Sequence, residues 1–192
     1  MTTALIVIDA QQSFAHRPYF EPAEVPAYLA AQNRLIEGFQ AAGLPIVRVY
    51  HVLPDGDDAE PFSPASGLVR PLDGLRSFDA ALTVRKTRHS ALVGSGLDVW
   101  LTRHGVRRLV ISGIRTEQCC ETTTRHASDL GWDVIYVPEA TLTFTMTHAD
   151  GSPLTPAQLR ARTAAVLAGR FARVLGVEAT LRAVTDEAAA LA

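Results

Sequence analysis

The 192-residue sequence contains only two cysteines, and they are neighbours, Cys119 and Cys120. Two adjacent cysteines form neither a disulfide framework nor a C-x-x-C metal site, and they are typical of a protein from the reducing cytoplasm. The formal net charge of -2 gives no basis for binding nucleic acid or an anionic membrane. No apolar run approaches the length of a membrane span, and the N-terminus lacks a secretory signal pattern. We therefore expect a cytoplasmic protein whose partner is a small molecule.

Lysine is also nearly absent. Of the 18 basic residues, 17 are arginines and one is Lys86. A bias of this kind reflects coding preference, so the scarcity itself has no function. The one lysine that has not been replaced is nevertheless a candidate for a site that needs a compact ammonium group, which arginine cannot supply.

Strand and helix patterns alternate along the sequence. The apolar run 4–8 predicts a strand buried on both faces, and further strands are predicted at 45–50, 82–84, 107–112, 132–137 and 172–175. The helices are predicted at 27–42, 93–104, 117–130 and 155–168, with another at the C-terminus. This alternation predicts an α/β fold in which a parallel sheet carries helices on both faces. We expect one domain over residues 1–192, because no repeat or linker interrupts the pattern.

Three reactive side chains follow the carboxyl ends of predicted strands: Asp9, Lys86 and Cys119. Open α/β sheets place their sites at this edge, where an acid takes the proton of a thiol and an ammonium group stabilises the thiolate. Thr116 is predicted to cap the helix whose first turn holds Cys119, and the helix dipole is expected to lower the pKa of that thiol. The alternatives are that Asp9 caps a turn and that both cysteines are small buried apolar residues.

These three places carry motifs that resemble those of the isochorismatase-like cysteine hydrolases. The first motif, an apolar strand followed by Asp-x-Gln-x-x-Phe, begins at Asp9. The lysine motif, Lys-x-x-x-Ser-Ala-aromatic, begins at Lys86 and has Leu92 at the aromatic position. The nucleophile motif, Gly-x-x-Thr-x-x-Cys-Val, begins at Gly113 and has Cys120 at the valine position. The resemblance covers about the first 140 residues and is specific for the family, though not for a substrate.

The resemblance implies both a fold and a reaction. The implied fold is a three-layer α/β/α sandwich with a six-stranded parallel sheet, the Rossmann-like isochorismatase fold. The implied reaction is cofactor-free hydrolysis of a C–N bond through a thioester on Cys119, with Asp9 moving the proton and Lys86 ordering Asp9 and the thiolate. The family also implies a non-proline cis peptide at Ile114–Arg115, with the N–H groups of Arg115 and Cys119 facing the oxyanion. A homo-oligomer, either a dimer or a tetramer, is implied as well.

Departures from the family pattern bear on the substrate. Family nicotinamidases hold a metal with an Asp-x-His pair at the end of the second strand, but Val49 occupies the carboxylate position here, so that His51 alone predicts no metal site. Arg115 stands where the family often has a small residue. It is suited to bind a substrate carboxylate, and equally to face solvent or a subunit interface. The pocket candidates are Phe14, His51, Arg115 and Phe144. Tyr19, His126 and His148 suit packing or the surface equally well.

The sequence thus predicts a cysteine hydrolase of the amidase branch that acts on a small amide, carbamoyl or ureido compound and releases ammonia or an amine. Two alternatives stay open. One is a vinyl-ether hydrolase for an isochorismate-type substrate, which needs Asp9 but not the thiol. The other is a catalytically idle binding protein of the same family. The long connection 53–80 and the Thr-rich segment 139–156 are predicted to be irregular and to cover a site or a partner surface.

Overall fold

A computed structural model describes residues 2–189 and is organised around a six-stranded parallel sheet. The strands of the described part of the chain are β1 (Thr2–Ile8), β2 (Ile46–His51), β3 (Leu82–Lys86), β4 (Val106–Ile114), β5 (Asp133–Leu142), β6 (Met146–Thr147), β7 (Pro153–Leu154) and β8 (Arg173–Val174). The sheet has the order β3-β2-β1-β4-β5-β8, and β6 and β7 form a separate antiparallel hairpin. The predicted six-stranded parallel sheet is therefore confirmed.

Helices cover both faces of the sheet. They are α1 (Val25–Ala41), α2 (Leu97–Arg103), α3 (Glu121–Asp129), α4 (Pro156–Leu167) and α5 (Val177–Ala189). Leu5 and Val7 belong to one core cluster with side chains of α1 and α5, whereas Ile6 and Ile8 share the other cluster with side chains of α2, α3 and α4. The predicted three layers follow from this alternation. Among the described residues, no helix combines the length and apolar character that a membrane span requires.

Strand β1 lies in the middle of the sheet, which explains the unbroken apolar run from Ala4 to Ile8. It pairs with β2 on one side and with β4 on the other, and its residues from Ala4 to Ile8 are at most 1% exposed. Both faces of this part of the strand are covered, which favours apolar side chains on each. The order of the strands reverses at β1, and the carboxyl ends of β1 and β4 meet at this point, where open α/β sheets form their binding crevice.

Helix α2 and strand β5 have other bounds than the sequence predicts, and β6 and β7 form a hairpin in the segment 139–156 that was expected to be irregular. Helix α2 begins at Leu97 rather than Val93, because Gly94 and Gly96 have φ angles of 63° and 73°, which a helix does not allow. Strand β5 continues beyond Pro138 to Leu142, although the segment from residue 139 was expected to be irregular. Its pairing with β4 shifts register across this proline, which has no N–H to donate.

Helix α4 begins as the sequence predicts. Thr155 caps it: its hydroxyl accepts a hydrogen bond from the Gln158 N–H, and the Gln158 side chain accepts one from the Thr155 N–H. This reciprocal pair is a capping box, with Pro156 in the first helical turn, where a missing N–H costs nothing. The signals for this start are all local, which explains the agreement.

Candidate active site

Asp9 follows the end of β1 and lies fully inside the protein. Its N–H donates to the Val49 carbonyl at 2.9 Å, and it is the one non-glycine residue of positive φ, 50°, in the described chain. Aspartate tolerates this left-handed conformation better than most residues. The turn that it makes directs the chain away from the sheet while the carboxylate, which is 0% exposed, remains at the strand end.

Lys86 is the last residue of β3 and brings an ammonium group to the same edge. Its Nζ lies 2.7 Å from Asp9 Oδ2, 3.3 Å from Cys119 Sγ and 3.2 Å from His51 Nδ1. The contact with Asp9 is an ion pair, and those with His51 and Cys119 are hydrogen bonds. The structure thus brings together the three reactive side chains that the sequence placed at strand ends, and adds His51 as a third neighbour of the lysine.

Cys119 lies in a short helical turn between β4 and α3. Residues Thr116–Cys120 form one turn of π-helix, in which the Arg115 carbonyl accepts hydrogen bonds from the N–H groups of Gln118 and Cys120. The predicted cap at Thr116 is wrong, because its hydroxyl donates to Thr141 at 2.8 Å and Arg115 occupies the N-cap position. Turns of π-helix are uncommon and are frequent at functional sites.

The pKa of the Cys119 thiol is the main correction to the sequence analysis. A lowered value was expected from the helix dipole, but burial, together with the charge of Asp9, raises the pKa of Cys119 to about 12. Burial likewise raises the pKa of Asp9, against the opposing effect of Lys86. Burial lowers the pKa of Lys86, but Asp9 and Cys119 outweigh it and leave the value above the ordinary one. In the free protein the thiol is therefore neutral and the lysine charged.

His51 is a neutral imidazole in this arrangement. Burial, followed by the charges of Lys86 and His89, lowers its pKa to about 4. Lysine only donates, so His51 Nδ1 accepts from Lys86 and the ring proton is on Nε2. The potential ligand atoms of Asp9, His51 and Cys119 all lie within 4.8 Å of one another. The Lys86 ammonium group contacts all three of these side chains, so it already occupies the position where a cation would bind.

A cavity of about 160 Å³ opens beside Cys119. It is lined by Asp9, Phe14, Arg17, Tyr19, His51, Leu53, Phe62, His89, Gln118 and Cys119. Two of the predicted pocket residues, Phe14 and His51, are among these. The wall formed by Leu53 and Phe62 belongs to the long connection 53–80, which therefore covers part of the site.

Arg115 and Phe144, the other two pocket candidates, do not line this cavity. Arg115 Nε lies 3.1 Å from Glu117 Oε1, and its guanidinium group stacks over the rings of Tyr19 and Phe144 at 5.2 and 5.6 Å. The side chain is thus neutralised by an acid and covered by aromatic rings, so it is not available to a substrate carboxylate. The Ile114–Arg115 peptide bond is cis.

Two weaker candidates also lie elsewhere. His126 exchanges a hydrogen bond with the Ser90 hydroxyl at 2.8 Å and is not a cavity residue, and His148 lies exposed at the turn between β6 and β7. Their roles are therefore packing and surface. Tyr19, by contrast, is a cavity residue whose ring is partly exposed.

The sequence analysis missed Arg17, Phe62 and His89. Arg17 forms an ion pair with Glu60, and its guanidinium group lies 4.9 Å from the centroid of the Phe62 ring. These contacts join two irregular segments, so no local pattern announces them. His89 could have been found from the sequence, because it lies inside the lysine motif, three residues beyond Lys86. It stands at a variable position of that motif, so it was not singled out.

Comparisons with known proteins identify relatives of this chain. A family model for the isochorismatase domain matches residues 3–179. The isochorismatase family protein YddQ of Bacillus subtilis is 30% identical over 185 residues, which are 95% of this chain and 100% of that protein. The ureidoacrylate amidohydrolase RutB of Variovorax paradoxus is 40% identical over 60 residues, which are 31% of this chain and 24% of RutB.

A solved structure extends the likeness to three dimensions. A hydrolase of the isochorismatase family from Chromobacterium violaceum superposes with a TM-score of 0.83 and 26% identity, covering 96% of this chain and 94% of the other. The matched residues of the family model include Asp9, Lys86 and Cys119. The chain belongs to the isochorismatase family of hydrolases.

Proposed function

We propose that this protein is a cysteine hydrolase that cleaves the C–N bond of a small amide, carbamoyl or ureido compound through a thioester on Cys119. One observation carries the proposal: the Lys86 ammonium group contacts both Asp9 Oδ2, at 2.7 Å, and Cys119 Sγ, at 3.3 Å. A thiol needs a neighbouring base to become a nucleophile and a cation to stabilise the thiolate, and both are present.

In the first half of the reaction, Asp9 accepts the thiol proton while Sγ attacks the carbonyl carbon. The raised thiol pKa means that the proton leaves during the attack rather than beforehand, so Asp9 acts as a general base. The N–H groups of Arg115 and Cys119 face the developing oxyanion; Cys119 lies in the first turn of its helix, where N–H groups lack intrahelical acceptors. The C–N bond then breaks, and Asp9 returns the proton to the leaving amine.

The size of the cavity and one relative support a small substrate. A volume of about 160 Å³ is below the ~300–1,000 Å³ typical of sites for drug-sized ligands. The relative RutB is named as a ureidoacrylate amidohydrolase. A ureido or carbamoyl compound presents a planar carbonyl carbon bonded to nitrogen, which is the atom that Cys119 would attack. The resemblance to the family also makes a homo-oligomer, either a dimer or a tetramer, part of the proposal.

The test is ammonia release from a panel of primary amides, carbamoyl amino acids and ureido acids. The wild type should release ammonia from at least one class. The Cys119→Ala variant should lose this activity by about 10³-fold or more, because no nucleophile remains. Cys120→Ala is the matched control, since Cys120 is 0% exposed and does not line the cavity, and it should stay active. Full ammonia release by Cys119→Ala would reject the thioester route. No ammonia release by the wild type, together with hydrolysis of isochorismate that persists in Cys119→Ala, would favour the vinyl-ether alternative.

A further inference from the structure

Arg17 brings a permanent positive charge to the wall of the cavity beside Cys119. It lies just beyond the short 3₁₀ helix Gln12–His16. Lys86, the other cation near the sulfur, is buried against Asp9 and is not part of the wall. Within the described part of the chain, Arg17 is thus the one arginine or lysine that lines the cavity into which a substrate enters.

Glu60 holds the guanidinium group of Arg17 without lining the cavity itself. The two side chains form an ion pair through Nη2 of the arginine, and Glu60 Oε1 also accepts a hydrogen bond from the Phe62 N–H at 3.1 Å. The ion pair involves one nitrogen of the three, so the N–H groups on Nε and Nη1 remain for another acceptor. A guanidinium group held in this way is suited to bind a carboxylate with two parallel hydrogen bonds.

This arrangement differs from that of Arg115. The Arg115 side chain is 10% exposed, pairs with a Glu117 side chain that is 9% exposed, and does not line the cavity. The Arg17 and Glu60 side chains are 27% and 25% exposed, so solvent weakens their ion pair and a second anion can share the guanidinium group. The carboxylate-binding role that the sequence allowed for Arg115 therefore suits Arg17 instead.

Aromatic rings connect Arg17 with the reactive end of the cavity. The Arg17 guanidinium group lies 4.9 Å from the centroid of the Phe62 ring, which lies 5.0 Å from the Phe14 ring and 5.7 Å from the His51 ring. A ligand atom of His51 is within 4.8 Å of Cys119 Sγ. This apolar wall suits a short carbon chain between the bond that is cleaved and a charged end of the substrate.

The Tyr19 hydroxyl supplies a further donor. Tyr19 lines the same cavity, and burial, against the charges of Arg115 and Arg17, raises the pKa of its hydroxyl. The hydroxyl is therefore protonated near neutral pH and can donate a hydrogen bond. A guanidinium group and a phenol in one wall complement an anion with two oxygens.

We propose that Arg17 binds a carboxylate of the substrate, so that the enzyme acts on small anionic amides, such as ureido acids and N-carbamoyl amino acids. The inference rests on the proposed function and narrows its substrate class. The carbonyl carbon lies against Cys119, the chain of the substrate lies along the Phe62 ring, and the carboxylate pairs with Arg17. A neutral amide of the same length lacks the ion pair and binds more weakly.

The experiment compares each acid with a neutral compound of similar length. Malonamate is paired with 3-hydroxypropionamide, and N-carbamoylglycine is paired with 2-hydroxyethylurea. Release of ammonia gives kcat and KM for each compound. The wild type should favour at least one acid over its neutral partner by about 10–100-fold in kcat/KM, which is the effect expected of a charge-assisted pair of hydrogen bonds.

Variants then assign the preference to Arg17. Arg17→Gln should lower the ratio of kcat/KM for acid over neutral compound to about 1, chiefly through a higher KM for the acid. Arg17→Lys should restore part of the ratio, because it keeps the charge without the planar group. Glu60→Gln removes the ion pair but leaves Arg17 charged, so the ratio should be retained or rise. Arg70→Gln is the matched control, because Arg70 is an exposed arginine that pairs with Asp73 and does not line the cavity.

The outcomes separate this inference from the proposed function. Equal kcat/KM for acids and neutral compounds in the wild type, with ammonia release that depends on Cys119, would overturn the role of Arg17 and leave the proposed function intact. Retention of the preference in Arg17→Gln would overturn it too. Loss of the preference in Glu60→Gln would also do so, since the ion pair would then act only by holding the 53–80 connection over the site. Absence of Cys119-dependent ammonia release from the whole panel would instead reject the proposed function, and the inference with it.

Discussion

The Lys86 ammonium group determines the charge state of its surroundings. It is 1% exposed and balances a carboxylate that is 0% exposed, with His51 and the Cys119 sulfur as its other acceptors. A buried ion pair gains little over an apolar pair of the same shape, but removal of one partner leaves an uncompensated charge. At the scale of the residue, the site therefore depends on both charges being present together.

Replacement of Lys86 by an uncharged residue should destabilise the folded protein, because the buried Asp9 carboxylate loses its partner. Lys86→Met should lower the free energy of unfolding by about 3–5 kcal/mol near neutral pH. Burial already raises the pKa of Asp9, and loss of the ammonium group raises it further. When the pKa of a carboxyl group is raised in the folded state, the free energy of unfolding falls as pH rises through that pKa. The difference in free energy of unfolding between Lys86→Met and the wild type should therefore shrink as pH falls from about 8 to 5. Urea unfolding at several pH values measures this.

The double variant Asp9→Asn/Lys86→Met is the control for this measurement, because it has no buried charge. It should recover most of the lost stability and show a smaller dependence on pH. A deficit in Lys86→Met that is the same at every pH would mean that Asp9 is not the group responsible.

The reactivity of Cys119 should report its raised pKa. With a thiol pKa of about 12, alkylation by iodoacetamide should be slow near pH 7 and accelerate about tenfold per pH unit toward pH 9. Asp9→Asn removes the base that accepts the thiol proton during the attack, and should slow alkylation at fixed pH. Both are measured by intact mass in a Cys120→Ala background. Rapid labelling that does not change with pH would show a preformed thiolate instead.

At the scale of the element, the close approach of β1 and β4 positions the site. Gly113 pairs with Ile8, just before Asp9 on one strand and before the π-helical turn on the other. Its φ angle is 127°, and a Cβ at this position would overlap the Ile8 carbonyl group. Only glycine therefore allows the two strand ends to lie side by side.

A methyl group at Gly113 should separate these strand ends. Gly113→Ala should prevent folding or lower the melting temperature by about 10 °C or more, since backbone has to move. Gly105→Ala is the matched control, because Gly105 also has positive φ, 63°, but nothing within 4 Å of the added Cβ. It should cost about 1–2 kcal/mol, or about 2–8 °C. Differential scanning calorimetry compares the two, and equal losses would contradict the steric argument.

Elements were predictable where their signals are local. The apolar runs of the strands and the Thr155 capping box fixed most of the sheet and the start of α4 in advance. The start of α2 was predicted too early because Val93 is apolar and fits the helical pattern. Gly94 and Gly96 have left-handed φ angles in the structure, so the helix begins only after them. The extension of β5 depends on pairing with β4 across a proline, which only the folded sheet reveals.

The candidate site was likewise predictable only in the parts that have local sequence signals. Asp9, Lys86 and Cys119 were predictable because each lies at or just beyond the end of a strand, and parallel strands end at one edge. The direction in which the pKa of the Cys119 thiol shifts was not predictable from the sequence. The helix dipole is a local effect, whereas burial and the nearby charge of Asp9 arise from tertiary packing. Arg17 and Phe62 come together through irregular segments, so their place in the cavity wall has no signature in the sequence.

At the scale of the whole molecule, the half-buried imidazole of His51 links stability to pH. Its pKa is lowered from 6.5 to about 4, so between these values the unfolded chain binds a proton that the folded protein does not. Stability should therefore fall as pH drops from about 6.5 toward 4, by about 1 kcal/mol at pH 5 once partial solvent screening is allowed for. Urea unfolding at pH 7 and 5 should show this in the wild type and in His148→Gln, and less in His51→Gln. An unchanged difference in His51→Gln would assign the effect to other groups.

The enclosure of Lys86 also decides how the folded protein responds to amine-directed chemistry. With the only lysine of the chain 1% exposed, succinimidyl esters, aldehyde fixatives and lysine acetyltransferases find no lysine amine on the folded surface. Acylation of Lys86 requires the sheet edge to open first. A modified Lys86 in a peptide mass spectrum would therefore record how often the molecule unfolds, and not how accessible its surface is.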